Sequence, residues 1–305
     1  MLVKKNQPTN HVMFNFDQVK LKKVVRVERK EISFLHFEEE RKEWRNCEGE
    51  KMKEALPNIF SVMTLNIMKE GVNLEGRMKA LRELIHKKRP TFVLLQENQK
   101  DHMNLLMGEE EIRKHYFVSS FECQEEGFKT SLFCSNSLKV SKMEFLDAFG
   151  RSAVLCTIQD EHYNQIDVVS CHLTSGNNAG KRKEQVEFLH NQFRETNSNS
   201  SIIIGGDFNA CKPEEDDLVI ESGGYLDCWK LVKGSEEGFT RRGARERLDR
   251  ITLKSEKYTC ESIEIIADEK VDCKKKEKER EKNKRVESFD YISDHLGLFA
   301  KFRTK

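Results

Sequence analysis

Several apolar segments of this 305-residue chain end in, or are followed at once by, a side chain that can bind a metal ion or a phosphate. The segments include VMTLN, VLLQE, VVSCH, IIIGGDFN, RLDRITL and ISDHLGLF. The side chains they carry are Asn66, Glu97, His172, Asp207, Asn209, Asp249, Asp294 and His295. Carboxylates, amides and imidazoles without a cysteine suit a hard cation such as Mg²⁺ together with a phosphate.

For these residues to act together, the elements that carry them must share one edge of the fold. Strand ends of a layered sheet are where residues distant in sequence converge. Short apolar runs predict strands over residues 60–67, 91–97, 130–135, 153–158, 166–172, 201–206, 248–253, 261–266 and 296–302. Apolar residues on one helical face predict helices over 77–88 and 181–195. This mixture predicts a layered α/β or α+β sandwich in one domain, residues 57–305.

The GGDFNA segment is the most informative of the set. Its two glycines allow a tight backbone turn, and Asp207 and Asn209, two residues apart on an extended chain, can point to the same side. Asparagine or glutamate at the end of one strand is most often a turn or cap residue. The conjunction of all six elements in order therefore favours a phosphate-hydrolysing site.

Charge and cysteine usage narrow the class of protein. Lysine and arginine total 53 against 52 acidic residues, a net charge of +1, which excludes a uniformly basic nucleic-acid-coating protein. The nine cysteines are scattered without a CxxC pair, so we expect reduced, buried thiols rather than a zinc site or disulfide framework. The N-terminus lacks an apolar signal region and no apolar run reaches membrane-spanning length. We expect an intracellular protein of the nucleus or cytoplasm, neither secreted nor membrane-bound.

Two segments stand apart from the predicted domain. Residues 1–56 combine a β-like alternation with a highly charged stretch, and they form an extension of unknown role. Residues 274–285 (KKKEKEREKNKR) are a low-complexity charged insertion before the last predicted strand. A solvated loop or exposed helix is the ordinary interpretation, with a nuclear-import or nucleic-acid patch as the alternative.

The segments TLNI, LQEN, CHLTSG, GGDFNA, RLDRI and SDHLGL, in that order over roughly residues 59–303, resemble the motif series of the endonuclease/exonuclease/phosphatase superfamily. The resemblance implies a deoxyribonuclease I-like four-layer α/β/β/α sandwich with the site at one mouth. The FGRSAVLC segment, GGYLDCWK and RLDRI are most similar to the tyrosyl-DNA phosphodiesterase 2 group. Leu65 in place of the usual tryptophan and Phe208 in place of a threonine depart from that group.

The resemblance implies a Mg²⁺-dependent phosphodiesterase, with Mn²⁺ as an alternative ion, that acts on nucleic-acid ends in DNA repair. It makes Glu97 the first metal ligand, with Asn66 beside it and Asp294 in support. Asp207 would orient or deprotonate the attacking water, and Asn209 would hold the water or the phosphate. His295, oriented by Asp249, and His172 would donate hydrogen bonds to phosphoryl oxygens. Arg182 would contact a phosphate, with a surface ion pair as the alternative.

Other functions within the same fold stay open at this point. A 3′-exoribonuclease or deadenylase is favoured by GDFNA and disfavoured by LDRI, where such enzymes resemble IDYI. An inositol or lipid phosphodiesterase lacks support from any lipid-facing apolar stripe. A catalytically inactive nucleic-acid- or protein-binding module is disfavoured because every expected catalytic position is filled. DNA is the expected substrate and RNA the alternative; no protein partner is inferred.

Overall fold

A computed structural model of the chain describes residues 28–46, 54–70, 73–120, 129–148, 150–160, 162, 164–192, 200–212, 215, 223–271 and 290–305. The strands in chain order are β1 (Glu28–Ile32), β2 (Phe34–Glu38), β3 (Glu43–Asn46), β4 (Ile59–Asn66), β5 (Phe92–Asn98), β6 (Tyr116–Ser119), β7 (Lys129–Ser135), β8 (Val140–Ala148), β9 (Arg151–Gln159), β10 (Gln165–His172), β11 (Ser201–Asp207), β12 (Leu226–Asp227), β13 (Asp249–Lys254), β14 (Tyr258–Ile266) and β15 (Gly297–Thr304). The helices are α1 (Leu74–Lys88), α2 (Lys100–Met107), α3 (Glu110–His115), α4 (Ala179–Gln192) and α5 (Cys228–Lys233). In this part of the chain no helix is long and apolar enough to cross a membrane.

The strands form two sheets that face each other. Sheet A has the order β1–β8–β9–β10–β11–β13–β12, and sheet B the order β14–β15–β4–β5–β7–β6–β2–β3. Alternate residues of the central strands point to opposite faces. In β4, Val62 therefore joins the core between the sheets, whereas Met63 joins the core beneath the helices. Apolar residues on both faces are expected for strands covered on both sides.

Helices cover the outer face of each sheet. Helices α1 and α2 pack on sheet B through Met78, Leu81 and Met103. Helix α4 packs on sheet A through Val186 and Leu189. The predicted four-layer α/β/β/α sandwich is therefore confirmed.

Each of the nine predicted strands overlaps an observed strand (β4, β5, β7, β9, β10, β11, β13, β14 and β15). The helix predicted over 77–88 begins earlier, at Leu74, and the one predicted over 181–195 is observed as Ala179–Gln192. Strands β6, β8 and β12 and the short helices α2, α3 and α5 were not predicted. The charged insertion 274–285 lies outside the described residues.

Residues 28–46, part of the stretch predicted as an extension, contribute strands to both sheets, whereas the β-like alternation before residue 28 lies outside the described residues. Strand β1 pairs with β8 at one edge of sheet A, and β2 pairs with β6 near one edge of sheet B. Ser33 alone separates β1 from β2, so the chain crosses directly from one sheet to the other. The guanidinium of Arg29 donates two hydrogen bonds to Glu144 of β8, at 2.9 and 2.6 Å, and the ring of Phe34 lies 5.3 Å from that of Phe117. We call residues 28–38 the N-terminal arm.

A buried carboxylate fixes the turn between β9 and β10, at the end of β10 remote from His172. Asp160 accepts hydrogen bonds from the backbone N–H groups of His162 (2.8 Å) and Asn164 (2.9 Å), and Lys257 donates to it from the turn before β14. Burial by itself raises the pKa of Asp160, but these donors outweigh burial and lower the pKa to about 2. The ionised carboxylate therefore stabilises the folded state.

We expect Asp160→Asn to lower the free energy of unfolding at pH 7 by about 1 kcal/mol. The folded-state pKa lies below the ordinary value of 3.8, so the stabilisation is present above that value and is lost as the pH falls through about 2. Urea unfolding of both proteins at pH 7, 5 and 3 measures the difference. The difference should shrink between pH 5 and pH 3, and an unchanged difference would contradict this assignment.

Candidate active site

Three of the predicted site residues lie side by side at the ends of neighbouring inner strands of sheet A. His172 at the end of β10 pairs with Asp207 at the end of β11, and Asp207 pairs with Asp249 at the start of β13. Strands β10 and β11 are parallel and β13 is antiparallel to β11, so the three positions meet at the same edge. Residues paired across neighbouring strands point to the same face of a sheet. The fold therefore assembles an imidazole and two carboxylates in one row.

The two residues before Asp207 must be glycines because neighbouring atoms lie too close to leave room for a side chain. A Cβ on Gly206, whose φ is 151°, would lie 1.9 Å from the carbonyl oxygen of Cys171 on β10. A Cβ on Gly205 would lie 2.7 Å from a methyl group of Leu94 on sheet B. The glycines thus allow the end of β11 to lie tightly between β10 and the opposite sheet.

Sheet B contributes Asn66 and Glu97 from the ends of the parallel strands β4 and β5. Nδ2 of Asn66 donates to Oδ2 of Asp207 at 2.9 Å and lies 3.3 Å from Oε1 of Glu97. The backbone N–H of Lys69 donates to Oε2 of Glu97 at 2.9 Å. Asn66 is therefore the side chain that joins the two halves of the site across the gap between the sheets.

His295 enters the site from the segment just before β15. Its Nδ1 lies 2.9 Å from Oδ2 of Asp249, and its Nε2 lies 3.9 Å from Oδ2 of Asp207. Burial lowers the pKa of His295, but Asp249 and Asp207 together outweigh burial and raise the pKa to about 10. His295 is therefore a protonated hydrogen-bond donor at neutral pH.

His172 has the opposite protonation state. Burial lowers its pKa to about 4, although Asp207, whose Oδ2 lies 3.5 Å from Nε2, acts in the other direction. The nearby charges of Arg151 and His295 lower it further. The site thus holds one neutral and one charged imidazole, each within 4 Å of the same carboxylate oxygen.

Asp207 lies at the centre of these contacts. Its Oδ1 accepts the backbone N–H of Asn209 at 2.9 Å, while Oδ2 faces Asn66 and the two histidines. Burial raises the pKa of Asp207, and the histidines act in the opposite direction. A carboxylate with a raised pKa is a stronger base than an exposed one. Nδ2 of Asn209 donates to the carbonyl of Leu173 at 3.0 Å, which holds this loop against the end of β10.

The backbone itself is strained around the site. Met68, Glu97 and Asn209 have positive φ angles of 55°, 61° and 51°. Side-chain-bearing residues seldom adopt this conformation, and it persists where surrounding contacts enforce it. Each of these residues lies in, or two residues after, a strand end that carries a candidate site residue. Three of the seven residues other than glycine that have a positive φ in the described part of the chain therefore lie at the candidate site.

Two groups of residues could hold a cation. Ligand atoms of Asp207, Asp249 and His295 lie within 4.8 Å of one another. Both ring nitrogens of His295 face carboxylates, however, and these charges raise its pKa to about 10, so a metal bound here would have to displace a proton from the ring. Glu97 is only half-buried, and its carboxylate offers the kind of oxygen ligand that a hard cation such as Mg²⁺ prefers. The amide of Asn66 turns its Nδ2 towards Glu97 and its Oδ1 towards the N–H of Met68, so in this structure the carboxylate of Glu97 is the oxygen donor of this group.

Two other predicted site residues, Asp294 and Arg182, make their hydrogen bonds outside the cluster. Asp294 accepts from the hydroxyl of Ser293 at 3.3 Å within its own loop, and its charge contributes to the high pKa of His295. The guanidinium of Arg182 is buried and donates two hydrogen bonds to Glu215, at 2.7 and 3.0 Å. It also donates to backbone carbonyls of the loop that follows His172. The guanidinium of Arg182 is thus bound by Glu215 and by the loop that follows β10.

Sequence reasoning did not identify two further residues of this region. Thr240 accepts the backbone N–H groups of Leu248 and Asp249 on its hydroxyl, both at 3.0 Å, and its carbonyl accepts the N–H of Leu296. Arg151 lies at the start of β9; burial lowers its pKa, while the nearby charges of Asp207 and Glu97 act in the opposite direction. A threonine in a loop carries no signal for its role. Arg151 lies in the FGRSAVLC segment, which carries the family resemblance but predicts no role for its arginine.

Comparisons with known proteins agree with this geometry. The model of the Endonuclease/Exonuclease/phosphatase family matches residues 63–295. No curated protein matches the sequence significantly. The structure is similar to that of D. rerio TDP2 complexed with single-strand DNA product, with a TM-score of 0.67, 21% identity, and coverage of 81% of this chain and 100% of that one.

Two further solved structures show the same fold. Truncated Caenorhabditis elegans TDP2 has a TM-score of 0.65 at 21% identity, covering 80% of this chain and 97% of its own. The human Nocturnin catalytic domain with bound sulfate anion has a TM-score of 0.61 at 22% identity, covering 82% of this chain and 96% of its own. At these identities the likenesses establish the fold.

Proposed function

The chain belongs to the endonuclease/exonuclease/phosphatase family, and from that premise we propose that it is a divalent-metal-dependent phosphodiesterase acting on nucleic-acid ends. The observation that carries the proposal is the convergence of Asn66, Asp207, Asp249 and His295 from both sheets into one cluster joined by hydrogen bonds and an ion pair, with Glu97 beside it. A base, a protonated donor and a hard-oxygen donor set are the groups that phosphodiester hydrolysis requires.

Glu97 and Asn66 would hold the ion, Mg²⁺ or Mn²⁺, with Asp294 in support. When bound, such an ion neutralises charge on the non-bridging oxygens of a phosphate. The chain contributes orientation, because the carboxylate of Glu97 is fixed by Asn66 on one oxygen and by the N–H of Lys69 on the other. Glu97 therefore faces the site in one defined geometry without needing the ion to order it.

The side chains of this protein would divide the remaining work. Asp207, with its raised pKa, would take a proton from the attacking water. Asn209 holds one oxygen of Asp207 so that the other faces the site. His295, kept protonated by Asp249, would donate to a phosphoryl oxygen. His172, neutral at physiological pH, would donate one further hydrogen bond.

A cation for the substrate phosphate would come from Arg151. Arg151 lines one pocket together with His172 and Leu173, beside the end of β10, and the charges of Asp207 and Glu97 raise its pKa against the effect of burial. Arg182, which was predicted for this role, instead has its guanidinium bound to Glu215. We therefore propose Arg151 as the phosphate contact and Arg182 as a support for the neighbouring loops.

We propose a blocked 5′ DNA end as the substrate, which would place the protein in DNA end repair. Support comes from the RLDRI segment and from the structural similarity to a TDP2 that was crystallised with single-strand DNA product. A 3′-exoribonuclease or deadenylase is the second candidate, favoured by GDFNA.

The catalytic unit would be residues 57–305, to which β1–β3 add sheet edges. Buried free thiols such as Cys134, Cys156 and Cys228 support a reducing nuclear or cytoplasmic compartment.

The full-length protein with Mg²⁺ should be assayed on three substrates side by side: 5′-tyrosyl DNA, unmodified single-stranded DNA, and poly(A) RNA. Metal-dependent conversion of the tyrosyl end to a 5′-phosphate, with the other two intact, is the expected result. Shortening of poly(A) with an untouched tyrosyl end would transfer the protein to the deadenylase candidate. Inactivity on all three would overturn the proposed substrate class.

We expect Glu97→Gln to lower turnover about 100-fold at 1–5 mM Mg²⁺, because an amide is a much weaker ligand for a hard cation than a carboxylate. Raising the Mg²⁺ or Mn²⁺ concentration should restore part of the rate, and EDTA should abolish the activity of both proteins. Glu264→Gln on edge strand β14, where Glu264 forms an ion pair with Lys88, is the matched control. Equal metal dependence of Glu97→Gln and the wild type would contradict the ligand assignment.

A further inference from the structure

Arg77 is an arginine in the first turns of α1 with 1% of its surface exposed. Its guanidinium donates hydrogen bonds only to backbone carbonyls in the contacts that the structure describes. Nε donates to Ile292 at 2.7 Å, Nη1 to Glu70 at 3.1 Å, and Nη2 to Met68 at 2.9 Å and to Ile67. One side chain therefore satisfies four acceptors.

These carbonyls belong to the two loops that carry candidate site residues of sheet B. Residues 67–70 follow Asn66 directly, and the N–H of Lys69 in this loop fixes the carboxylate of Glu97. Ile292 lies two residues before Asp294 and three before His295. Arg77 thus connects the loop beside the metal donors with the loop that delivers the protonated histidine.

The loop after Asn66 needs such support because its backbone is strained. Met68 has a φ of 55°; its N–H donates to Oδ1 of Asn66 at 2.9 Å while its carbonyl accepts from Arg77. A side-chain-bearing residue stays in this conformation only when contacts on both sides hold it. The same peptide segment therefore connects the guanidinium to the orientation of the Asn66 amide.

Only arginine suits this geometry. Its planar guanidinium offers five N–H donors in a fixed fork, so it can span two loops at once, whereas the lysine ammonium is a compact point donor. Burial lowers the pKa of Arg77, and the negative charge of Asp294 in the second loop partly offsets this effect.

We propose that Arg77 is a positioning residue for the candidate active site: by binding the carbonyls of residues 67, 68, 70 and 292, it sets the distance between the Asn66–Glu97 side and the Asp294–His295 side. It does not touch the substrate. The kinetic part of the inference rests on the proposed phosphodiesterase function, whereas the structural part does not.

The test compares Arg77→Lys and Arg77→Met with Arg82→Met in the full-length protein. Arg82 lies on the same helix, and it also donates to a backbone carbonyl, that of Leu105 at 3.2 Å, and pairs with Glu109 at 3.1 Å. Hydrogen–deuterium exchange should show faster exchange of residues 66–70 and 292–296 in both Arg77 variants and unchanged exchange there in Arg82→Met. This readout needs neither substrate nor metal.

On the substrate that the wild type hydrolyses, the Arg77 variants should lose about 100-fold in kcat with KM changed by less than threefold, since a misplacement near 1 Å costs about that much. Arg82→Met should keep the wild-type kcat. Wild-type kcat and protection of both loops in Arg77→Lys would overturn the inference, as would a loss of kcat fully explained by the unfolded fraction. If the wild type is inactive on every substrate, the proposed function fails while the exchange comparison still decides the role of Arg77.

Discussion

Asp207→Asn should lower kcat about 1,000-fold while the protein stays folded. Oδ2 of Asp207 faces Asn66, His172 and His295, and burial raises the pKa of this carboxyl, so it is the candidate base for the attacking water. Asparagine has nearly the same shape but cannot accept a proton. Turnover at saturating Mg²⁺ and substrate measures the loss.

The stability of Asp207→Asn should not fall with its kcat. An acid with a folded-state pKa above its ordinary value destabilises the folded state at neutral pH when it is ionised, so removing the charge of Asp207 should leave Tm unchanged or raise it. Asp160→Asn is the matched control, since it also replaces a buried carboxylate by an amide, at the end of sheet A remote from the candidate site. It should lose stability and keep kcat, and a folded, fully active Asp207→Asn protein would refute the mechanism.

Asp249→Asn should introduce a pH dependence that the wild type lacks. In the wild type, the charges of Asp249 and Asp207 overcome burial and hold the pKa of His295 at about 10, so this ring stays protonated throughout the neutral range. Without the charge and hydrogen bond of Asp249, burial is opposed by the charges of Asp207 and Asp294, so the pKa of His295 should fall towards the neutral range. The variant should therefore lose activity as the pH rises from about 6 to 8, where the wild type stays level.

Profiles of kcat/KM from pH 5.5 to 9.5 measure this change, and NMR titration of the His295 ring reports the same pKa without substrate. His172→Asn is the contrasting variant, because burial already keeps His172 neutral with a pKa of about 4. It should lower the rate at every pH without adding a descent between pH 6 and 8. Parallel pH profiles for Asp249→Asn and the wild type would show that Asp249 does not set the charge of His295.

The strands were predictable where their apolar runs were uninterrupted. Most of the nine runs mark strands buried between a second sheet and a helix layer, which demands apolar residues on both faces. Strand β14, at the edge of sheet B, is the exception, with Glu261, Ser262 and Glu264 exposed. Strand β8 was missed because Lys142 and Glu144 interrupt its pattern, and it lies next to the edge of sheet A. Short helices such as α3 carry too few residues for helical periodicity to be visible.

Most residues of the cluster could be predicted because they lie at strand ends. The register in which the strands pair then decides which of these residues meet. The structure brings His172, Asp207 and Asp249 into one row, with Asn66, Glu97 and His295 around it. Residue type alone cannot predict the surroundings of an arginine, since a partner distant in sequence determines whether the side chain is exposed. Arg182 has Glu215, 33 residues away, as its acceptor, and Arg77 reaches Ile292, 215 residues away.

The N-terminal arm has a consequence for how the sandwich opens. With Ser33 as the only residue between β1 and β2, the arm has no slack with which to stay paired to one sheet while the other moves away. Separating the sheets at this side must break the hydrogen bonds of β1 with β8 or those of β2 with β6. The arm therefore acts as a covalent tether: the paired edges of the two sheets, whose strand ends form the two halves of the site, cannot move apart while both sets of hydrogen bonds stay intact.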